Sequence, residues 1–175
     1  MRSYIPRRKW TDFRPILLGM HVPSPNLYIH HDAGAGPDAW DDAEIVSEKQ
    51  YMRGIESLHI NQRKMRAVAY SVVIFPSGRV YEGRGWGKIG GHTENLNDNG
   101  HGICWVGNFE NRKPTKASLR AARRLIRRGK MRRKVTWRAN VLGHRDTKPT
   151  ACPGRNLYAV LGRLRRLFRV RRGKD

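Results

Sequence analysis

The stretch AVAYSVVIFPSGRVYEG, Ala67 to Gly83, decides how the rest of the chain is read. Its first nine residues, up to Pro76, are β-branched, aromatic or small, and the run is too short for a helix of ordinary length. Pro-Ser-Gly-Arg then reverses the chain, and VYEG returns as a second strand, so the stretch predicts a β-hairpin. Upstream, NLYIHH (Asn26 to His31) follows Pro23 and Pro25 and reads as a buried strand ending in polar residues. The Gly-rich, acidic AGAGPDAWDD behind it predicts a loop leading into a helix near Asp41 to Ala43. Ile45, Met52, Ile55 and either Leu58 or His59 form that helix's apolar face. Downstream, GICWVG is apolar enough for a central strand. Thr115 is placed to cap a helix with Leu119, Ala122 and Ile126 on one face and Gly129 at its end. A last helix follows Pro153, with Leu157, Leu161, Leu164 and either Leu167 or Phe168 apolar. Strands and helices interleave without an internal repeat, which indicates a single α/β or α+β domain.

A length of 175 residues suffices for one domain with a core of its own. The opening MRSYIPRRKW has no apolar run of signal-peptide length, and no stretch of about 18 apolar residues occurs anywhere. The expectation is a protein made without an export signal, which needs another agent to release it if it works outside the cytoplasm. Two cysteines, Cys104 and Cys152, exclude a disulfide framework and leave room for a single bridge. The net charge of +22 is unevenly spread: residues 1–111 hold 13 Lys or Arg against 12 Asp or Glu, and residues 112–175 hold 23 against 2. Such a C-terminal third seeks polyanions, whether wall polymer, anionic lipid or nucleic acid. The basic helices lack the interleaved aromatics of a single-strand binder, so nucleic-acid affinity is expected only as a non-specific property.

In GHRDTKPTACPG, Gly143 to Gly154, a histidine and a cysteine lie eight residues apart in a segment broken by two prolines. A loop, not regular periodicity, must bring His144 and Cys152 together. Thiolate and imidazole are zinc ligands, and a catalytic zinc site takes three protein ligands and leaves a fourth position open. A third ligand is available at the end of the NLYIHH strand. Neighbouring strand residues face opposite sides, so at most one of His30 and His31 points towards such a site.

These pieces, in this order, resemble the zinc-dependent N-acetylmuramoyl-L-alanine amidases, which share a fold with peptidoglycan recognition proteins and with phage lysozymes of the amidase type. YIHHDAG resembles the strand with the first ligand, AVAYSVVI the strand with an active-site tyrosine, and GRVYEGRGW the hairpin return. GGHT and NDNGHGICWVGNF resemble the substrate groove and central strand, and GHRDTKPTACPG the last two ligands. The resemblance spans roughly residues 26–155. It implies an α/β domain whose central mixed β-sheet is flanked by helices, with an N-terminal extension over residues 1–25, the amidase domain over 26–162 and a basic C-terminal tail over 163–175. It implies zinc on His30, His144 and Cys152, catalytic roles for Tyr70 and Thr150, and substrate contacts from His92 and Asn97. His31 becomes a supporting residue. Asp32 stands where a small hydroxyl residue is common, and Cys104 where some relatives carry a glutamate base, which aligns the chain with the tyrosine-using branch. The implied activity is hydrolysis of the amide between N-acetylmuramic acid and the L-alanine of the stem peptide. The alternative is a non-catalytic peptidoglycan-binding module; such members typically lack the cysteine. A compact amidase without export signal is similar to phage endolysins, made in the host cytoplasm and released to the wall through a holin. The expected partners are peptidoglycan, bound by a monomer, and an anionic wall polymer or membrane surface engaged by the basic C-terminal region.

Overall fold

Strand β2 (Ser24–His31) is buried along nearly its whole length because it pairs on both sides with parallel strands. In a computed structural model that describes residues 3–34 and 48–168, it lies beside β5 (Gly100–Trp105) and β6 (Val135–Gly143). Strand β3 (Val72–Ile74) pairs in parallel with β5 and antiparallel with β4 (Val80–Glu82), and β1 (Tyr4–Ile5) closes the far edge. The result is a six-stranded mixed sheet in the order β1-β4-β3-β5-β2-β6. The hairpin of Ala67 to Gly83 is present, with Gly78 at φ +84° turning it. Its first arm is regular only over Val72–Ile74; upstream, Ala69 and Tyr70 spend their carbonyls on the Gly91 and Arg84 amides instead of a ladder.

Helices cover both faces. Helix α1 (Glu48–Ser57), prolonged by a π-helical turn over Leu58–Gln62, packs on one face through Tyr51, Met52 and Ile55. The predicted start near Asp41 to Ala43, and Ile45, lie outside the described residues. Helix α2 (Lys116–Met131) covers the other face, its N-terminus capped by Thr115 Oγ1 accepting from the Ser118 amide at 3.0 Å. It buries Ala121, Ala122, Leu125 and Ile126, while Leu119 stays half-exposed. Gly129 lies within its last turn, where a Cβ would approach the Trp86 ring to 3.1 Å. The single predicted last helix is two short ones, α3 (Arg155–Ala159) and α4 (Leu161–Arg165).

Packed structure lies on both sides of the expected boundaries at residues 25 and 163. Before residue 26, β1 is a sheet strand, and Trp10, 1% exposed, belongs to the core under α1 and donates its indole N–H to the Glu82 carbonyl at 3.0 Å. The tail drawn from residue 163 begins inside packed structure, because Leu164 and Phe168 belong to the core under α2. Lys130 Nζ donates to the Leu167 carbonyl at 2.6 Å and sits over the Phe168 ring. Residues 169–175 lie outside the described part. Among the described residues no helix is long and apolar enough to cross a membrane.

Candidate metal centre

The parallel pairing of β2 with β6 sets Ile29 opposite Gly143, so the next residues, His30 and His144, stand side by side at the C-terminal ends of their strands. Their rings are 4.6 Å apart between centroids. The chain then makes a 3₁₀ turn over His144–Asp146, anchored by the Gly143 amide donating to Asp146 Oδ2 at 2.8 Å. It returns through the Pro-rich loop to Cys152, whose carbonyl accepts from the Arg145 amide at 2.9 Å. One ligand atom each from His30, His144 and Cys152 lies within 4.8 Å of the others. His31 turns to the opposite side of the sheet, where its Nδ1 accepts from the Phe109 amide at 3.3 Å. Its backbone N–H still serves the centre by donating to Cys152 Sγ at 3.4 Å.

The hydrogen bonds that this donor set already makes suit a metal ion. His30 is 1% exposed, with Nε2 3.3 Å from Thr93 Oγ1 and Nδ1 3.7 Å from Cys152 Sγ. With the proton on Nε2 held by Thr93, Nδ1 keeps its lone pair facing the cysteine, the orientation that an outer hydrogen bond typically imposes on a ligating histidine. His144 Nε2 is buried without a hydrogen-bond partner, as suits a nitrogen reserved for a ligand. Two imidazole nitrogens and a sulfur within this distance fit a zinc-like ion with one open position. Burial, then His92 and His144, push His30 well below its usual pKa, which keeps the imidazole neutral. Burial also pushes the Cys152 thiol up to about 11, opposed by the His31 amide and Arg145.

Tyr70 lies on the same side, its ring 5.3 Å from that of His30, and burial holds its hydroxyl well above the usual tyrosine range. It is therefore a proton donor at neutral pH. Thr150 lines the same cleft and accepts from the Cys152 amide at 3.2 Å. His92 is buried behind His30, tightly enough that a Cβ on Gly102 would come within 2.4 Å of its ring. Its Nδ1 is 2.9 Å from Thr93 Oγ1, and Asn97 Oδ1 accepts from the His92 and Thr93 amides at 2.7 and 2.9 Å. His92, expected at the groove, lines the cleft and also supports Thr93 through Nδ1, while Asn97 Oδ1 holds the His92 and Thr93 amides.

The cleft holds about 380 Å³, with Ile55 of α1, Leu58 and His59 of its π-helical turn and the following Arg63 as the facing wall. Further residues from the quoted motifs support the site. Thr93 was visible only as part of GGHT. Asp32, whose Oδ1 accepts from the Gly107 amide at 2.8 Å and whose Oδ2 accepts from Tyr51 at 2.5 Å, ties the end of β2 to the neighbouring loop. Cys104 faces the same side as His30, its register partner, with its thiol fully buried and pushed well above its usual pKa. Both cysteines are free.

Residues 22–155 match the family model described as N-acetylmuramoyl-L-alanine amidase. Among curated proteins, a peptidoglycan-recognition protein of Drosophila simulans is 36% identical over 159 residues, covering 90% of this chain and 84% of that protein. The mouse N-acetylmuramoyl-L-alanine amidase is 31% identical over 163 residues, covering 89% of this chain and 29% of that longer protein. A mutant of Drosophila PGRP-LB, solved in complex with tracheal cytotoxin, superposes with a TM-score of 0.84 at 28% identity over 91% of this chain and 93% of that one.

Proposed function

The chain belongs to the N-acetylmuramoyl-L-alanine amidase family, whose members act on or bind peptidoglycan, and from that premise we propose that it is a zinc-dependent amidase that cuts the bond between N-acetylmuramic acid and L-alanine. The observation that carries this reading is the cluster of His30, His144 and Cys152, with one ligand atom from each within 4.8 Å of the others. A zinc ion held there would supply Lewis acidity and a water acidic enough to act near neutral pH. The remaining work falls to the chain. The cleft beside the cluster receives the lactyl-peptide junction of the substrate. Tyr70 donates its proton-bearing hydroxyl to the oxygen that gains charge as the carbonyl is attacked. Thr93 fixes the His30 ring, the His31 amide steadies the Cys152 sulfur, and Thr150 holds the backbone at Cys152.

Several relatives are named for recognition rather than hydrolysis, so binding without cleavage is the competing reading. Incubation of purified peptidoglycan with zinc-loaded protein separates the two. An amidase releases stem peptides with free L-alanine amino termini and leaves the glycan strands intact. A binding module co-sediments with the sacculi and releases nothing, and that outcome would overturn the proposal.

A further inference from the structure

Helix α2 contains no acidic residue, and Arg120, Arg123, Arg124, Arg127 and Arg128 on its outer face are all exposed, followed by exposed Arg132. None of these six makes an ion pair or side-chain hydrogen bond within the described residues. Arg120 and Arg124, Arg123 and Arg127, Arg124 and Arg128, and Arg128 and Arg132 are like charges four residues apart, a spacing that destabilises an isolated helix. Among the described residues Glu82 is the acidic side chain that shares a hollow with Arg128 and Arg132, and it leaves most of this charge free for an anion from outside. Arg124, Arg127, Arg128 and Arg132 surround a shallow hollow of about 460 Å³ with Met131, and guanidinium groups in such an array match phosphate oxygens in pairs.

Two further side chains decide which phosphate. Met131 is 77% exposed and Trp137, on the adjoining edge strand β6, is 65% exposed. Lys130 links the two regions, its Nζ 4.9 Å from the Trp137 ring. A phosphate polymer in water needs the charges alone, whereas large apolar side chains standing among cations suit a bilayer interface, where tryptophan in particular settles at headgroup level. We propose that the outer face of α2, with Met131 and Trp137, docks the protein on the surface of a bilayer rich in anionic phospholipid. The orientation follows from strand alternation: α2 lies over the face formed by Leu27, Ile29 and Ile103, whereas His30 and Cys104 point to the other. A docked molecule therefore turns its cleft away from the lipid. The proposal is independent of whether that cleft cuts or only binds.

Sedimentation with vesicles tests it, comparing mixed phosphatidylglycerol and phosphatidylcholine with phosphatidylcholine alone. The wild type should bind the mixed vesicles and ignore the neutral ones. Joint replacement Arg124→Gln, Arg127→Gln and Arg128→Gln should weaken binding roughly a hundredfold, since each surface cation near an anionic leaflet contributes about fivefold. The same loss of charge on the α1 side, Arg8→Gln, Lys9→Gln and Lys49→Gln, should change it less than about threefold, because fixed charges act within a Debye length. Trp137→Ala should weaken it several-fold even at salt concentrations that screen the arginines. All these side chains are exposed, so the cores stay intact. Equal losses from the two triple variants would reduce the effect to net charge and overturn the assignment. An unchanged Trp137→Ala together with full competition by duplex DNA would replace the lipid with a generic polyanion and overturn it as well.

Discussion

The two faces of the one sheet use polar chemistry in opposite ways. Under α1 the polar side chains are buried: His30, His59 and His92 are almost inaccessible, and burial holds each neutral, His59 down to about 4 and His92 down to about 3. Groups withdrawn from water in this way need defined partners, and most of them have one: Thr93 for His30 and His92, and the Ala69 amide for His59. Among the described residues His144 Nε2 and His92 Nε2 are buried without a partner, and of these two histidines only His144 belongs to the cluster with His30 and Cys152. Over α2 the relation is reversed. The layer against the sheet is mainly apolar, with His31, His101 and Ser118 as its buried polar members, and the arginine charge stands outside it, exposed and without an ion pair among the described residues. Buried polar groups confer geometry and therefore specificity, whereas exposed charges confer long-range, salt-sensitive attraction with little geometric demand. The molecule thus separates a selective face from an adhesive one by the thickness of a sheet.

The sharpest way to break this contrast is Cys152→Ser. Exchanging a soft ligand for a poorly ionised hydroxyl should reduce amidase activity to background and lower bound zinc, measured by elemental analysis, while vesicle binding by α2 persists. Full turnover in a zinc-loaded variant would remove Cys152 from the ligand set. Phe168→Ala probes the other face from beneath. It should cost about 3 kcal/mol or more of unfolding free energy in denaturant titration, as expected for a buried aromatic, without changing zinc stoichiometry. If stability is unchanged, the chain beyond α4 is a tail after all.

Tyr70→Phe removes one oxygen from the buried face. The kcat on soluble muropeptides should fall by roughly 10²- to 10³-fold with KM nearly constant, the signature of a donor used in the transition state. A change confined to KM would make the ring a packing element. Thr93→Val is the mildest test. It keeps the shape but removes the hydroxyl that orients His30, and should weaken zinc affinity by roughly 10- to 100-fold, with activity recovered at high zinc. Unaltered affinity would show that packing against His92 and Tyr70 alone holds the ring.

Much of this architecture is local and therefore readable from residues alone. The hairpin follows from β-branched runs flanking Pro-Ser-Gly, the α2 cap from Thr115, and the charge partition from a count. Strand β6 escaped such a reading. Its buried Val135, Ala139 and Val141 alternate with exposed Arg138 and Asn140, and Trp137 breaks the pattern by pointing to solvent. A period of two states that His30 and His31 face opposite sides, but not which side holds the cleft. That choice came from the parallel register of Ile29 with Gly143, which joins segments more than a hundred residues apart. The burial of Trp10 and Phe168 is equally non-local: they are apolar residues in basic, terminal-looking segments, and only cores assembled from distant strands and helices bury them. Residue types and spacing thus determined which chemistry the chain carries. Tertiary pairing decided where it converges, because the free energy that fixes that geometry comes from contacts with no signature in any one segment.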